Sequence, residues 1–379
     1  MLGTVNGGRP VNELGREKET KMILFTRGNP AEEALPIDDI VDCAKVVFQR
    51  EGKILFQYGH YSGYAPLREW IAQRFGVLPE RVLLGNSSME FLSFVAALLM
   101  KPGDTVFVES PSYDRAITAM RRSGARVVGI PLERDGVSVD LFKEALQRSV
   151  AKIFYLIPDF QNPSGVTTSL EKRKEIVRLA QEFGFYIVED SPYRYLRYRG
   201  TALPTIRELM PDRVLHISSF SKILSPGMRV GFILLPSDIA PQFHKWSEDT
   251  YIHPVLPTEG IVNEYCRRGL IDRNIERLKA LYRPRMEAML SALAQYLRGV
   301  QYVEPDGGYF ISIHLPNEVD GHSLWKHCRD FGIVLTDGRG FFPDGKGQHF
   351  LRLPFSALTP EEIEEGIRRL AKAIDYYRR

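Results

Sequence analysis

Between residues 80 and 235 the sequence alternates short runs rich in β-branched and aromatic residues with amphipathic segments. Such alternation is typical of βα units, whose strands lie mostly parallel in one sheet. One amphipathic segment has Thr168 and Glu171 at capping-box spacing before apolar residues on one face, which predicts a helix. We therefore expect an α/β fold. The predicted strands are residues 82–85, 105–109, 126–130, 152–157, 186–189, 213–217 and 230–235.

After Pro257 the pattern changes, and a long helical region is predicted to continue through Leu297. A last helix is predicted from the capping box that Thr359 and Glu362 form. Residues 338–347 are rich in glycine but lack the spacing of a dinucleotide-binding loop, so we expect a mobile loop there. Strand-like segments lie around 309–314, 332–335 and 349–353. These elements predict a second, smaller α+β layer.

The charge balance argues against some classes of partner. Fifty basic and 47 acidic residues leave a formal charge of +3, too small to indicate a nucleic-acid or membrane partner. The first residues lack the apolar core of a signal peptide, and the longest apolar run, Phe94 to Met100, is too short to cross a bilayer. We expect a small-molecule ligand.

The cysteines and histidines indicate neither a disulfide framework nor a metal site. Cys43, Cys266 and Cys328 are odd in number and widely spaced, which favours a reducing cytoplasm. His322 and His327 lie close to Cys328, but this cluster fits an ordinary helix face better than a set of metal ligands. No metal is therefore expected.

The segment from His216 to Phe232 carries the clearest chemical signal. It holds hydroxyls at Ser219 and Ser221, an amine at Lys222 and a guanidinium at Arg229 between two short apolar strands. A lysine can form a Schiff base with an aldehyde, and hydroxyl and guanidinium groups can bind a phosphate dianion. The set suits an aldehyde cofactor that carries a phosphate.

A second anion site is indicated where the strand 82–85 ends and a helix begins. Ser87 and Ser88 follow Gly85 and would present hydroxyls together with free backbone N–H groups. Either serine is a candidate phosphate ligand, although Ser87 can also serve as the N-cap of the helix.

The string from Ser219 to Gly231, Ser-Phe-Ser-Lys-x-Leu-x-Pro-Gly-x-Arg-x-Gly, resembles the class I/II aminotransferases that use pyridoxal phosphate (PLP). It is most similar to their 2-aminoadipate and aromatic aminotransferase branch. The resemblance begins near Ile23 and implies the fold of aspartate aminotransferase, with a seven-stranded sheet in its large domain. It also implies a homodimer. We expect an N-terminal arm and part of the small domain in residues 1–45, the large domain in 46–260 and the C-terminal small domain in 261–379.

The resemblance implies roles for residues at the ends of other strands. Tyr113, in Glu-Ser-Pro-Ser-Tyr, would stack on the cofactor's pyridine ring, and Asn162, in Asn-Pro-Ser-Gly, would bind its phenolic oxygen. Asp190 would pair with the pyridine nitrogen, although Glu189 beside it is a competing acid. Tyr193 would donate to the phenolic oxygen as well.

Two further matches concern the substrate and the dimer. Arg352, in Arg-Leu-Pro-Phe-Ser, would clamp the substrate α-carboxylate, for which the planar guanidinium is suited. Tyr58, in Gln-Tyr-Gly, would reach the cofactor phosphate of the neighbouring subunit.

The sequence departs from the family pattern at two positions. Gly28 would keep a backbone donor for the substrate carboxylate, but Arg27 places a long cation where relatives keep almost no side chain. Arg27 either selects a substrate with a distal anionic group, narrows the site against bulky apolar side chains, or points to solvent. Asp159 stands where a small or hydroxyl residue is usual and would bring a charge near the site.

The function that the resemblance implies is transamination between an amino acid and a 2-oxo acid, with Lys222 as both anchor and proton shuttle. The alternative is another outcome on the same fold: β- or γ-elimination or replacement, decarboxylation, racemisation or cyclisation. Transcription regulators that contain this domain also need a winged helix. Because roughly twenty residues stand before Ile23 in this sequence, too few for a winged helix, we do not expect such a regulator.

Overall fold

A computed structural model describes residues 21–378. The part of the chain described contains thirteen strands. They are β1 (Ile23–Phe25), β2 (Val82–Gly85), β3 (Thr105–Ser110), β4 (Arg126–Glu133), β5 (Gly136–Val137), β6 (Ala151–Leu156), β7 (Tyr186–Asp190), β8 (Val214–Ser219), β9 (Gly231–Leu234), β10 (Gln301–Tyr302), β11 (Phe310–His314), β12 (Ile333–Leu335) and β13 (Phe350–Pro354).

The same residues form twelve α-helices. They are α1 (Ile37–Leu55), α2 (Ala65–Phe75), α3 (Ser88–Leu99), α4 (Asp114–Arg122), α5 (Val139–Arg148), α6 (Leu170–Phe183), α7 (Ile206–Leu209), α8 (Ala240–Tyr251), α9 (Leu256–Arg267), α10 (Leu270–Tyr296), α11 (Gly321–His327) and α12 (Pro360–Tyr376). None of these helices combines the length and the apolar character that crossing a membrane requires.

The large sheet is mixed but mostly parallel, as predicted. Its strand order is β2-β9-β8-β7-β6-β3-β4-β5, and β9 and β5 run antiparallel to their neighbours. All seven predicted strands are present. The eighth strand, β5, was not predicted because it has only two residues, Gly136 and Val137, which pair with the end of β4.

The central strands are buried on both faces, as expected for a parallel sheet covered by helices. Every residue of β8 is buried, and so are all but the first of β7. One apolar cluster includes Phe107, Phe142 and Phe154, and a larger one covers the other face and continues into the remainder of the chain. With both faces closed, a ligand is confined to the carboxyl ends of the strands.

The smaller layer draws on both ends of the described chain. β1 pairs in parallel with β12, so that Ile23 lies opposite Ile333. β10, β11 and β13 form a separate antiparallel sheet, and α10 packs on α12. This agrees with a small domain built from both ends, while the boundaries at residues 45 and 260 stay predictions. Residues 1–20 of the expected arm lie outside the described residues.

One local prediction was wrong and two are confirmed. The N-cap of α6 is Ser169, whose hydroxyl accepts from Lys172 N, so Thr168 and Glu171 form no capping box. The long helical region is confirmed and consists of two helices, α9 and α10, because the chain adopts a left-handed conformation at Gly269. The capping box of α12 is present.

The glycine-rich segment 338–347 is packed at its start, whereas its predicted mobility stays a prediction. Residues Gly338–Phe341 form a 3₁₀ turn in which Gly338 and Phe341 are buried. A Cβ atom on Gly338 would lie 2.0 Å from the carbonyl oxygen of Phe350, so the turn rests directly on β13. Glycine is needed here for close approach, and the spacing of the glycines does not reveal that contact.

Candidate active site

A cleft of about 280 Å³ opens where the carboxyl ends of β6 and β7 meet the small antiparallel sheet. Its walls combine cations, acids and aromatic rings. They are formed by Arg27, Gly28, Asn29, Ser88, Tyr113, Asp114, Arg115, Ile157, Asn162, Asp190, Pro192, Tyr193, Lys222, Phe310 and Arg352. Most of the residues predicted from separate motifs are thus brought together in one cavity.

Lys222 lies shortly after the end of β8, and its side chain crosses to the N-terminal segment. Its Nζ donates to the carbonyl oxygen of Gly28 at 2.9 Å and lies 5.7 Å from the centre of the Tyr309 ring. Burial lowers the pKa of Lys222 to about 8, and the positive charges of Arg352 and Arg229 act in the same direction. An amine with this pKa has a substantial neutral fraction near pH 7 to 8, which nucleophilic attack and proton abstraction require.

The predicted phosphate ligands converge because of strand register. Gly231 on β9 lies opposite Gly85 on one side and Ser219 on the other. A Cβ on Gly231 would approach the backbone of Ser87 to 2.9 Å, so only glycine lets the β2–α3 turn come this close. The Ser219 hydroxyl lies 2.8 Å from that of Ser221.

Two more members of this group, Ser87 and Arg229, differ in burial. Ser87 is buried and occupies the N-cap position of α3, but within residues 21–378 its side chain makes no capping hydrogen bond. Its hydroxyl therefore stays available for a ligand. Arg229 is exposed and adopts a left-handed backbone conformation, with φ of 54°. Together with the free N–H groups at the start of α3, these groups form a corner suited to a dianion.

Asp190 ends β7, and its carboxylate is only half satisfied. Oδ2 accepts a hydrogen bond of 2.8 Å from the hydroxyl of Tyr155. Oδ1 is buried and has no hydrogen-bond partner among the described residues. Burial raises the pKa of Asp190 to about 7, although the hydrogen bond from Tyr155 acts to lower it. A buried acceptor without a partner is costly, and a cationic N–H donor such as a protonated pyridine nitrogen would satisfy it.

Arg352 is held between aromatic rings on the opposite wall. Its guanidinium carbon lies 4.9 Å from the Phe310 ring centre and 4.7 Å from that of Phe341. Nη1 donates to Asn162 Oδ1 at 2.9 Å, while Nε is buried without a partner in residues 21–378. The rigid guanidinium thus keeps a free donor for an anion.

Tyr113 and Tyr193 supply the aromatic surfaces of the cleft. Tyr193 is buried and meets Phe310 edge to face at 5.7 Å. Tyr113 immediately precedes α4, and burial raises the pKa of its hydroxyl to about 12, with the charge of Asp190 adding to the effect. Both hydroxyls are therefore hydrogen-bond donors at neutral pH.

Three further residues singled out from the sequence lie on the rim of the cleft or outside it. Tyr58 is 76% exposed, stacks edge to face on His253 and does not line the cleft of its own chain. Arg27 lines the cleft and is exposed. Asp159 does not line the cleft, and its buried carboxylate is paired with Arg173, so a charge near the site at this position stays a prediction.

Gly28 is fixed by close packing. A Cβ atom at this position would lie 2.3 Å from the ring of Phe310, so a larger residue would displace that ring or the N-terminal segment. This close packing is a sufficient reason for a glycine at position 28. The predicted role of its backbone N–H as a donor to the substrate carboxylate is a second reason.

Sequence reasoning missed several residues of the site. Tyr155 was one, although a tyrosine among the apolar residues 153–156 of β6, beside the strand of Asp190, could have been noticed. Glu109 is buried and accepts from Ile157 N and Gln161 Nε2, and burial raises its pKa to about 8 against those two hydrogen bonds. Phe310 carries no distinguishing signal, because any apolar residue suits a strand.

Comparison with known proteins gives a consistent answer. The family model described as aminotransferase class I and II matches residues 20–370. The chain is 34% identical to the 2-aminoadipate transaminase of Thermus thermophilus, covering 93% of this chain and 90% of that protein. It is 33% identical to aromatic-amino-acid aminotransferase 1 of Thermococcus litoralis, covering 96% and 91%.

A solved structure agrees as well. It is that of the α-aminoadipate aminotransferase of Thermus thermophilus in complex with N-(5′-phosphopyridoxyl)-L-leucine. It superposes with a TM-score of 0.90 at 33% identity, over 94% of this chain and 92% of that one.

Proposed function

The chain belongs to the class I and II aminotransferases, and from that premise we propose how its own residues divide the work of transamination. The enzyme is PLP-dependent and transfers an amino group between an amino acid and a 2-oxo acid. When bound, PLP acts as an electron sink that makes the proton on the substrate Cα labile. All other tasks fall to the protein.

The observation that carries the assignment is the unpartnered, buried Oδ1 of Asp190 in the cleft that also contains Lys222. In our proposal Asp190 binds the pyridine nitrogen and keeps it protonated. Tyr113 covers the ring face, and Asn162 and Tyr193 hold the phenolic oxygen. The phosphate is held by Ser87, Ser88, Ser219, Ser221 and Arg229.

Lys222 is proposed to attach the cofactor covalently and, once released by substrate, to accept the proton from Cα. Its lowered pKa of about 8 supports the second role, because a neutral amine is needed to take a proton. The carbonyl oxygen of Gly28 accepts a hydrogen bond from Lys222 Nζ and so keeps the amine in the cleft. A separate general base is therefore unnecessary.

Borohydride reduction of the holoenzyme followed by peptide mapping tests the attachment. The reduced cofactor should be recovered on the peptide that contains Lys222. Label on any other lysine would overturn the assignment.

Substrate recognition is proposed to use two arginines. Arg352, with its buried free donor, binds the α-carboxylate, supported by Gly28 and Asn162. Arg27 lies on the cleft wall, where a distal carboxylate of an acidic amino acid could pair with it. The activity named for the Thermus relative, on 2-aminoadipate, involves such a substrate, whereas that of the Thermococcus relative involves aromatic amino acids.

Arg27→Gly distinguishes these substrate classes. If Arg27 selects an anion, kcat/KM for acidic relative to aromatic amino acids should fall more than about tenfold, or 1.4 kcal/mol. An unchanged ratio would leave Arg27 as a residue that points to solvent.

We further propose that the enzyme is a cytoplasmic homodimer. Large apolar side chains are exposed near Tyr58, namely Ile54 and Phe56 before it and Ile252 and Val255 beside its ring partner His253. A second copy would cover them and bring Tyr58 to the neighbouring phosphate site. Sedimentation should give a stable dimer, and an active monomer would contradict this. The three cysteines are free and buried, which fits a reducing compartment.

A further inference from the structure

We infer that Asp159 is a positioning residue, which holds the loop of Asn162 and the loop of Tyr193 in fixed relation at the cleft. The inference rests on the proposed function, in which those two residues hold the phenolic oxygen of the cofactor. Asp159 has a buried carboxylate to which the proposed reaction gives no role. Asp159 is 1% exposed and lies three residues before Asn162.

Three guanidinium groups surround this one carboxylate. Asp159 Oδ1 is 2.8 Å from Arg173 Nη2 and 3.5 Å from Arg197 Nη2, and Oδ2 is 3.2 Å from Arg194 Nη1. Arg173 is fully buried, and the other two arginines are largely so. A buried charge is tolerated only where it is paired, and Asp159 is the acid that these three cations share.

The three arginines come from two different parts of the fold. Arg173 belongs to the first turn of α6 and also donates to the carbonyl oxygens of Pro158, Thr168 and Pro204. This set of bonds holds Arg173 rigidly between α6 and the loops that contain Pro158 and Pro204. Arg194 and Arg197 belong to the loop that follows β7, which also carries Tyr193.

Arg194 and Arg197 connect the carboxylate to the cleft. Arg194 is the residue next to Tyr193, so its bond to Asp159 fixes the loop at the point where that tyrosine turns inward. Arg197 lies over the ring of Phe160 at 4.7 Å and reaches Asp306 Oδ2 at 3.4 Å. The carboxylate thereby links the Asn162 loop to the Tyr193 loop.

The backbone beside Asp159 needs this support. Phe160 has φ of 55°, a left-handed conformation that is costly for a bulky residue. Its ring packs under Gly307 and Gly308, where a Cβ would come within 2.7 Å of the ring and 2.4 Å of the Phe160 side chain, respectively. The segment that these glycines begin leads directly to Phe310 on the cleft wall. A strained residue held between tight contacts transmits a shift at Asp159 to Asn162.

The pH titration of bound-cofactor absorbance separates positioning from simple charge. Donors to the phenolic oxygen stabilise its anion and lower the titration midpoint, so misplaced Asn162 and Tyr193 should raise that midpoint. Removing the negative charge of Asp159 should by itself lower the midpoint, because the anion on the phenolic oxygen is then less strongly repelled. Asp159→Asn should therefore raise the midpoint if it positions the two loops, by about half a pH unit or more. It should lower the midpoint if only its charge matters.

Two further variants complete the experiment. Arg194→Lys keeps the positive charge but loses the planar guanidinium, and it should raise the midpoint by less than Asp159→Asn does. This variant also provides a test of the positioning role in case Asp159→Asn does not fold. Glu175→Gln is the matched control, because it is the same acid-to-amide change at an exposed pair with Arg178 on α6. Its midpoint should equal that of the native holoenzyme.

The outcomes distinguish this inference from the proposed function. If the native protein binds no PLP or shows no titration, the proposed function itself fails. If the native holoenzyme titrates but neither Asp159→Asn nor Arg194→Lys raises the midpoint, the positioning role is overturned and the cofactor assignment stands.

Discussion

The two faces of the large sheet at the end of β7 carry neighbouring carboxylates that serve opposite purposes. Glu189 and Asp190 are both buried, and strand alternation directs them to opposite layers. Glu189 accepts from Ile206 N at 2.9 Å and Arg207 N at 3.0 Å, and its Oε2 is 3.0 Å from His216 Nδ1. Asp190 accepts only from a tyrosine hydroxyl among the described residues.

The pKa values of the two acids move in opposite directions. Burial acts to raise the pKa of Glu189, but the charge of His216 and the hydrogen bonds of His216, Ile206 and Arg207 outweigh it and leave the pKa lowered. For Asp190 burial prevails and the pKa rises to about 7. Equal burial therefore does not identify a functional acid. Here the satisfied carboxylate belongs to the core, and the unsatisfied one lines the cleft.

The largest effect is expected when the unsatisfied carboxylate, Asp190, is replaced. Asp190→Asn should keep the cofactor but lower turnover about a thousandfold, or roughly 4 kcal/mol, because an amide cannot hold the ring nitrogen protonated. Steady-state kinetics of the holoenzyme measures this. Asp238→Asn, at a surface acid that accepts from Tyr186, should leave turnover unchanged. Near-normal turnover in Asp190→Asn would remove Asp190 from the mechanism.

The matching change on the other face should affect stability. In Glu189→Gln the amide N–H₂ group is a donor and would face either the backbone N–H groups of Ile206 and Arg207 or the ring of His216. Buried donors would then lack an acceptor, and we expect a loss of about 3 kcal/mol in unfolding free energy. Urea unfolding measures the loss, and absorbance should show that cofactor binding is retained. Glu175→Gln, which is exposed, should change the free energy by less than about 0.5 kcal/mol. Equal stability of Glu189→Gln and the native protein would contradict the structural role.

The raised pKa of Asp190 should make the stability of the cofactor-free protein depend on pH. The folded pKa of about 7 lies above the ordinary value, so between pH 5 and 7 the folded state holds a proton that the unfolded chain has released. This contribution to stability should therefore fall by about 2 kcal/mol as pH rises from 5 to 7.

Comparison with cofactor-free Asp190→Asn isolates that contribution. The native protein should lose stability relative to the variant over this range, and Glu189, whose pKa is lowered, acts in the opposite sense only at acidic pH. Parallel pH profiles for the two proteins would show that the folded pKa of Asp190 is ordinary.

The smallest expected effect concerns the single hydrogen-bond donor to Asp190 in the described chain. Tyr155→Phe removes the hydrogen bond to Oδ2, and we expect turnover to fall about fivefold, or 1 kcal/mol, with the fold intact. Tyr186→Phe removes a comparable hydrogen bond of 2.7 Å at the surface and should have no effect on turnover. Equal rates in the two variants would mean that Tyr155 only fills space.

Much of the fold could be predicted from local pattern. The seven long strands of the large sheet, the capping box at Thr359 and the helix after it all follow from periodicity and cap chemistry over short windows. The two-residue strand β5 and the N-cap at Ser169 did not, because each depends on one or two residues whose alternatives differ little in energy.

The sequence by itself determined which chemical groups are present and at which strand ends they lie, because the motifs around Ser87, Asn162, Asp190 and Lys222 are contiguous in the chain. Only the tertiary structure decided how these groups are satisfied. It paired Glu189 with His216, left Oδ1 of Asp190 without a partner in the described chain, and turned Asp159 away from the cleft to three arginines. Those outcomes depend on contacts between residues far apart in the chain, and a buried charge is stabilised or destabilised by what surrounds it in space.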